Sequence, residues 1–485
     1  LNSESIMFSH IIRYDWLLLR ANRTLVFSVG LLAFFVGFAL WNGHRQVGFQ
    51  RETLAAIQQA DVENTARLKQ QVVAIEGGTP WTGSSWQNPS SPYTIGSNKG
   101  AKYAALPPGP LAILAVGQSD LRAYYYRVTM TKPQSLYHSE EIENAATLYN
   151  GSFDLVFVIV YLLPLLVVAL SYNVVSSEKE QGTLSLLLST EADFRRVVLG
   201  KYLFRWLLLN GVFVGLITAG LLVAGVDLPG SAGRLLLVFL LVLLYTAFWF
   251  ALSFAVNSYG KNSGYNAAVL VGAWLVFVLI VPTVLSVGVN LLHPVPSRVE
   301  LVTRTREVSD AVKKEGAKLL SSYYEDHPEL VPKGQPVNYE DFAIKSLRTQ
   351  MAVEEAMKPT EAQFETQLRS QQTLISYYRF LSPAVFVGQS LNDVAGTGDG
   401  RYADFKQQAM RFYQSFQRFF VQKIFRQEKM TSTEFDRIPN FQYQPPDATF
   451  FTIPNLLNLL FLAIATGFCV AVGLVKTKKV HLTMA

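Results

Sequence analysis

Six long apolar runs, each free of Asp, Glu, Lys and Arg, dominate the pattern of hydrophobic and polar positions along the chain. The hydrocarbon core of a bilayer is crossed by about 20 helical residues, so each run has about the length of a membrane span. A spanning barrel would instead show short alternating segments, and a buried core helix explains one such run more readily than six. The pattern predicts six transmembrane helices: Thr24–Trp41, Leu155–Val175, Trp206–Val226, Leu235–Val256, Ala267–Leu292 and Ile453–Val475.

Two long polar segments interrupt the series of spans, and we predict that each forms an extracytoplasmic domain. The expected fold class is an α-helical integral membrane protein with six transmembrane helices and two such domains, the second mainly helical. The predicted divisions are an N-terminal interfacial helix (1–23), the first span (24–41), extracytoplasmic domain 1 (42–154), the second span (155–175), a cytoplasmic coupling segment (176–205), the third to fifth spans (206–292), extracytoplasmic domain 2 (293–452), the sixth span (453–475) and a cytoplasmic tail (476–485).

Basic residues flank the spans in four segments that fall on one side of the predicted membrane. That side is assigned to the cytoplasm, which places both termini there and makes the chain a multi-pass protein of the inner (cytoplasmic) membrane. The flanking residues are Arg13, Arg20, Arg23, Lys179, Arg195, Arg196, Lys201, Arg205, Lys261, Lys476, Lys478 and Lys479.

The composition supports this class of protein. Half of the residues are hydrophobic and only 16% are charged, whereas soluble domains carry nearer a quarter. The net charge of +6 fits the membrane-flank bias, with the lipid bilayer as partner, and does not indicate nucleic-acid binding. Cys469 is the single cysteine, so no disulfide is expected in the polar domains. No cleavable signal peptide is evident, and Met7 is the expected natural start.

The polar segments contain recognisable helical patterns. Residues 51–78 lack Pro and end in a Gly pair, and 7–23 form either an interfacial helix or an extension of the first span. In the second domain we predict helices near 298–326, 338–378 and 402–430, and an ordered loop over 382–400. The tyrosines Tyr124, Tyr125 and Tyr126 favour core packing over a binding site. The three-four spacing of Phe405, Ala409, Phe412, Phe416 and Phe419 likewise indicates a buried helix stripe.

Motifs for catalysis or nucleotide binding are missing from the sequence. There is no G-x-x-x-x-G-K-[ST], H-E-x-x-H, G-x-S-x-G or Cys-x-x-Cys pattern, and the six histidines have no metal-ligand spacing. The spans also lack the acidic residues of a proton relay. We therefore predict no catalytic residue, no metal site and no enzymatic activity in this chain, and we expect a separate subunit to supply energy.

The stretch "SSEKEQGTLSLLLS" at 176–189 directly follows the second span. Glu178, Lys179 and Glu180 would mark the exit from the membrane, Gly182 would permit a bend, and Thr183 could cap a short apolar helix. This pattern suits a segment that receives movement from a cytoplasmic protein, although an ordinary polar loop remains the alternative.

The same stretch resembles the signature of ABC-2 type transporter permeases, in which two acidic residues flank a basic one before Gly-Thr-Leu and a leucine pair. The family often has Pro where this chain has Thr190 and Glu191, a small departure. The resemblance implies that the stretch ends at a coupling helix that docks on an ATPase subunit. The matching positions are Glu178, Lys179, Glu180, Gly182, Thr183, Leu184, Leu187 and Leu188.

Residues 106–121, 162–184 and 293–298 further resemble a subfamily of these permeases with two large outer insertions. The resemblance implies a complex of two permease chains, identical or homologous, and two cytoplasmic ATPase subunits. ATP and Mg²⁺ would bind on the ATPase, and this chain would bind no cofactor itself. Within the third span, Gly211 and Gly215 form a G-x-x-x-G pair that serves either a contact within the chain or dimerisation.

Two functions that involve an ATPase partner remain open. One is movement of a substrate across the membrane, with export favoured over import. The other is mechanotransmission, in which the spans carry no cargo and ATPase motion reaches an extracytoplasmic partner through the large outer domains. A receptor or scaffold without an ATPase is a third possibility, which the coupling segment disfavours.

Overall fold

The structure is a computed structural model, and it describes residues 2–21, 23–117, 122–131, 153–183, 194–294, 298–314, 323, 325–331, 341–446 and 452–484. Six helices in this part of the chain are long and apolar enough to cross a membrane. They confirm the predicted α-helical membrane protein, and their bounds are Leu25–Glu76, Leu155–Glu180, Phe194–Val223, Ala232–Asn257, Ser263–Leu292 and Ile453–Thr477.

The helices are numbered in chain order. Before the second span lie α1 (Asn2–Ala21), α2 (Thr24–Glu76) and α3 (Pro92–Thr94). The second span comprises α4 (Leu155–Phe157), a π-helical turn (Val158–Leu162), α5 (Leu163–Ser171) and α6 (Ser176–Glu180). The third and fourth spans are α7 (Phe194–Val223) and α8 (Ala232–Asn257). The fifth comprises α9 (Ser263–Trp274), a π-helical stretch (Leu275–Ile280) and α10 (Val281–Leu292). The remaining helices are α11 (Arg298–Lys314), α12 (Phe342–Tyr378), α13 (Pro383–Ala395), α14 (Asp399–Phe425) and α15 (Ile453–Met484), the sixth span.

The first span does not end at the membrane. The span is the first part of α2, a helix of 53 residues that ends at Glu76. The predicted helix over 51–78 is therefore the outward extension of the span. No Pro interrupts this stretch, and Gly78 with φ 93° stands just beyond its end. At the other end Arg23 adopts φ 53°, which separates α1 from α2 and excludes α1 as a simple extension of the span.

The two predicted outer segments share one hydrophobic core, and we call the resulting body the head. Strands β1 (Lys102–Ala105) and β2 (Tyr125–Val128) pair antiparallel, with Lys102 opposite Val128. Tyr126 of β2 stacks on Phe405 with ring centroids 5.4 Å apart, and its hydroxyl lies 2.6 Å from that of Tyr402. The predicted core role of Tyr126 is therefore confirmed. Phe405, Ala409, Phe412 and Phe416 are buried as predicted, and Phe419 is partly buried.

The predicted ordered loop over 382–400 is wrong for most of its length, because residues 383–395 form helix α13. The Ser382 hydroxyl accepts a hydrogen bond from the Val385 amide, Pro383 stands at the first helical position, and Gly396 closes the helix with φ 80°. The apolar side chains Phe386, Val387 and Leu391 join the core formed by the spans rather than the core of the head. Ser-Pro before the helix and Gly after it are start and stop signals that can be read in the sequence.

Candidate coupling site

The side of the spans away from the head carries a set of ion pairs around residues 176–183, and we call it the basic side. Glu178 is 7% exposed, and its Oε1 accepts a hydrogen bond from Lys201 Nζ of α7 at 2.6 Å. Its Oε2 accepts from the Thr183 hydroxyl, which also bonds the Glu178 backbone oxygen at 3.2 Å. Lys201 in turn lies over the Tyr14 ring of α1, 5.5 Å from its centroid. Glu178 thus connects the second span to the third.

Lys179 and Glu180 bind the turn between the fourth and fifth spans. Lys179 Nζ donates to the Gly260 carbonyl at 2.9 Å. The two Glu180 oxygens accept from the Ser263 amide at 2.7 Å and from its hydroxyl at 2.9 Å. Because the first amides of a helix lack partners within the helix, this carboxylate stabilises the start of the fifth span.

A second ion pair fastens α1 to the third span. Asp15 is fully buried, and its two oxygens accept from Arg205 Nε at 2.8 Å and Nη2 at 2.6 Å. The Arg205 Nη1 donates to the Leu170 carbonyl of the second span. A buried guanidinium with a bidentate carboxylate partner and a carbonyl acceptor has its charge and most of its donors satisfied.

A break in the second span positions the signature residues. Helix α5 ends at Ser171. The Ser171 carbonyl accepts hydrogen bonds from Tyr202 Oη at 3.2 Å, Ser253 Oγ at 3.1 Å and Asn257 Nδ2 at 3.2 Å. Side chains of the third and fourth spans therefore replace the lost helical bond, as an interrupted membrane helix requires. The short helix α6 that follows carries Glu178 to Glu180 toward their partners.

The predicted bend at Gly182 is present, since this residue adopts φ 75° in the left-handed region. The Thr183 hydroxyl donates to Glu178, and the helix that Thr183 is predicted to cap lies outside the described residues. The other predicted coupling residues, Leu184, Leu187 and Leu188, lie outside the described residues.

Sequence reasoning placed the three charged signature residues at the membrane exit and missed their partners. The partners it missed are Lys201, Gly260 and Ser263, and it also missed the separate ion pair of Asp15 with Arg205. Lys201 and Arg205 stand four residues apart in a largely apolar helix, a spacing that puts both on one face and could have indicated that they act together.

Gly211 and Gly215 face away from the bundle, and a Cβ at either would meet no atom within 4 Å. They therefore make no close contact between helices within the described chain. The described residues also contain no group of three His, Cys, Asp or Glu side chains that could hold a metal ion. The described contacts on the basic side join helices to one another.

Family models and a curated relative match parts of the chain. Residues 111–304 match the family model described as ABC-2 family transporter protein, and residues 298–444 match a domain of unknown function, DUF3526. A segment of 134 residues is 34% identical to the probable ABC transporter permease protein NosY of Stutzerimonas stutzeri. This match covers 26% of the present chain and 47% of that relative, so the chain spans about half the length of the curated relative it matches. No solved structure matches the chain.

Proposed function

We propose that this chain, whose residues 111–304 match the ABC-2 family transporter model, is the transmembrane permease subunit of an ATP-binding cassette transporter driven by a separate ATPase. ATP and Mg²⁺ would bind on two cytoplasmic ATPase subunits, and a second permease chain would complete the membrane part. The substrate would move across the cytoplasmic membrane, with export as the favoured direction.

The distribution of basic residues supports the proposed orientation. Helix α1, the segment 176–205, the turn around Lys261 and the chain after Lys476 carry the flanking Lys and Arg residues, so the basic side is assigned to the cytoplasm. Both termini would then be cytoplasmic and the head extracytoplasmic.

The observation that carries the proposal is the set of contacts made by the signature residues. Glu178, Lys179 and Glu180 bind the third span, the turn after the fourth and the start of the fifth. A displacement of this segment by an ATPase would therefore directly reach the third span, the turn after the fourth span and the fifth span. In this view the charged residues transmit movement, while Leu184, Leu187 and Leu188 would supply the surface that docks on the ATPase.

The proposal is tested by purifying the full complex and measuring ATP hydrolysis by the partner in nanodiscs. Glu180→Lys places a cation at the start of a helix, and Gly182→Pro cannot adopt φ 75°, so both variants should insert normally but lose stimulated hydrolysis. Glu52→Gln, an exposed carboxylate on α2, is the matched control and should leave stimulation unchanged. Normal stimulation in both signature variants would contradict the coupling role, and purification without any ATPase would contradict the transporter assignment.

A second function, mechanotransmission to an extracytoplasmic partner, is favoured by helix α2. Its 53 residues make a rod of about 80 Å that begins at the basic side and ends in the head. Two contacts join α2 to the rest of the head. Lys102 Nζ lies 3.0 Å from Asp61 Oδ2 of α2, and Asn64 Nδ2 of α2 donates to the Lys99 carbonyl at 2.7 Å. Movement at the basic end of α2 would therefore be transmitted to the head.

Spin-label distances discriminate between the two functions. In a Cys469→Ser background, one label at the exposed Val62 of α2 and one at the exposed Tyr265 of the fifth span report movement of the head relative to the membrane. Mechanotransmission predicts that nucleotide binding by the ATPase shifts this distance. An unchanged distance in a complex that transports cargo would exclude it.

A further inference from the structure

The end of helix α12 runs beside the fifth span instead of staying in the head. Gln371 Nε2 donates to Asn290 Oδ1 at 3.1 Å and to the His293 carbonyl at 2.7 Å, at the head end of this span. Eleven residues later, the Ser382 hydroxyl donates to the Phe277 carbonyl. Residues 372–382 therefore descend antiparallel along the fifth span, over a stretch of about 20 Å.

Helix α13 then returns from this depth toward the head. A Cβ at Gly388 would touch Val160 of the second span at 3.7 Å, and Asn458 Nδ2 of the sixth span donates to Ser390 Oγ at 2.6 Å. Phe386 is fully buried and packs against Phe461 with centroids 5.6 Å apart. Residues 372–395 thus form a helical hairpin inserted among the head-side ends of the spans, and we call it the re-entrant hairpin.

The length of the fifth span locates the hairpin relative to the lipid. Ser263–Leu292 contains 30 residues, whereas about 20 cross the hydrocarbon core. Counting about 20 residues from Ser263 places the head-side boundary of the hydrocarbon near Thr283. Ser382, opposite Phe277, then lies about 9 Å below this boundary. Arg379, one turn before Ser382, lies within about 5 Å of it.

Arg379 forms no salt bridge with a described carboxylate, and the charge of Asp393 acts on it from a longer distance. Its guanidinium lies 5.0 Å from the centre of the Phe380 ring, and its buried Nε has no hydrogen-bond partner in the described chain. An arginine at membrane depth is costly unless it pairs with an anion or reaches the headgroups.

The surface around Arg379 is aromatic and exposed. Tyr377 is 74% exposed and Tyr378 50%, and Leu381 beside them is 56% exposed. Tyrosines placed at the boundary of the hydrocarbon present an apolar ring to the acyl chains and a hydroxyl to the headgroups. A guanidinium binds a phosphate with two parallel hydrogen bonds, so both the charge and the shape of this surface complement a phospholipid headgroup.

We propose that the tip of the re-entrant hairpin is a binding site for a phospholipid of the head-side leaflet. Arg379 binds the headgroup phosphate, Tyr377 and Tyr378 flank it, and the acyl chains follow the exposed apolar face of the fifth span at Ile280 and Val276. This lipid site is separate from the proposed permease function, and lipid binding to it can be measured without any ATPase.

The test is native mass spectrometry of the full chain titrated with phosphatidylglycerol and, separately, with a diacylglycerol of the same acyl chains. The chain should retain phosphatidylglycerol and not diacylglycerol. Arg379→Gln should weaken phosphatidylglycerol binding about tenfold or more, the usual effect of losing a charged hydrogen bond. Arg379→Lys keeps the charge but not the planar guanidinium, so its affinity for phosphatidylglycerol should lie between those of the unmodified chain and Arg379→Gln.

Arg411→Gln, at an exposed position of α14 in the head, is the control and should bind as the unmodified chain does. Should Arg379→Gln fail to fold, Tyr378→Phe removes one hydroxyl at an exposed position and should still weaken binding measurably. Equal retention of both lipids, unchanged binding in the variant tested, or an equal loss in Arg411→Gln would overturn the proposal.

Discussion

Replacing Asp15 by Asn removes one charge of the buried pair that joins α1 to the third span. Asp15 is fully buried, and both of its oxygens accept hydrogen bonds from Arg205, at 2.6 and 2.8 Å. Asn keeps the shape of the side chain but can accept only one of these bonds, and it leaves the Arg205 charge buried without a counter-charge. Breaking a buried pair in this way costs about 3–5 kcal/mol.

The double variant Asp15→Asn/Arg205→Met separates the loss of the pair from the loss of either charge. Removing both charges from an apolar site is often neutral, whereas the Leu170 carbonyl then loses a donor at a cost of about 1–3 kcal/mol. We therefore expect the double variant to be more stable than the single one.

The assay is equilibrium unfolding of the full chain in mixed detergent micelles, followed by tryptophan fluorescence. The control is Asp436→Asn, which breaks the exposed pair between Lys69 and Asp436 (2.7 Å), and exposed pairs contribute about 0–1 kcal/mol. If Asp15→Asn costs no more than Asp436→Asn, the reasoning from burial is refuted.

Three further predictions concern packing and charge in the head and at its base. Gly43→Ala should destabilise the chain by about 1–3 kcal/mol, because the new Cβ would lie 2.0 Å from the Ile113 carbonyl oxygen. The control is Gly48→Ala on the same helix, whose Cβ would meet no atom within 4 Å and which should be neutral or stabilising. The thermal midpoints of the two variants are compared with that of the unmodified chain. Burial raises the pKa of the Glu354 carboxyl, so the folded chain binds this proton more tightly than the unfolded chain and loses stability as pH rises through the raised pKa. Relative to the unmodified chain, the thermal midpoint of Glu354→Gln should therefore rise as the pH increases from the ordinary range of a glutamate carboxyl through its raised pKa. A relative fall of the midpoint over this range would contradict the assignment. Lys102→Met removes the cation that lies 3.0 Å from the Asp61 carboxylate of α2 and should destabilise the head by about 2 kcal/mol. The loss should appear as faster hydrogen exchange of the backbone amides in β1 and β2. Unchanged exchange would show that this ion pair contributes nothing to the stability of the head.

The spans could be predicted from sequence because their cause is local. A stretch without charge and with enough length must form a helix in lipid, since each backbone group has to find its partner within the segment. The bend at Gly182 could also be predicted, because a glycine just after a charged span end can adopt a positive φ that other residues avoid.

Helix α13 shows where local reasoning failed. Its capping signals at Ser382, Pro383 and Gly396 are as clear as those of other helices, but its position between two predicted helices of the second outer domain favoured a loop. The apolar face of this helix packs against the second, fourth, fifth and sixth spans, and no pattern within residues 382–400 encodes those neighbours.

The sequence by itself determined the class of protein, the number of spans and the position of the signature block, because hydrophobic length and charge are properties of the chain. Only the tertiary structure decided what the charges do. Asp15 and Arg205 are 190 positions apart, and Glu180 meets Ser263 from 83 positions away. The cost of burying a charge forces each to find a partner, but which partner lies within reach depends on how the spans pack.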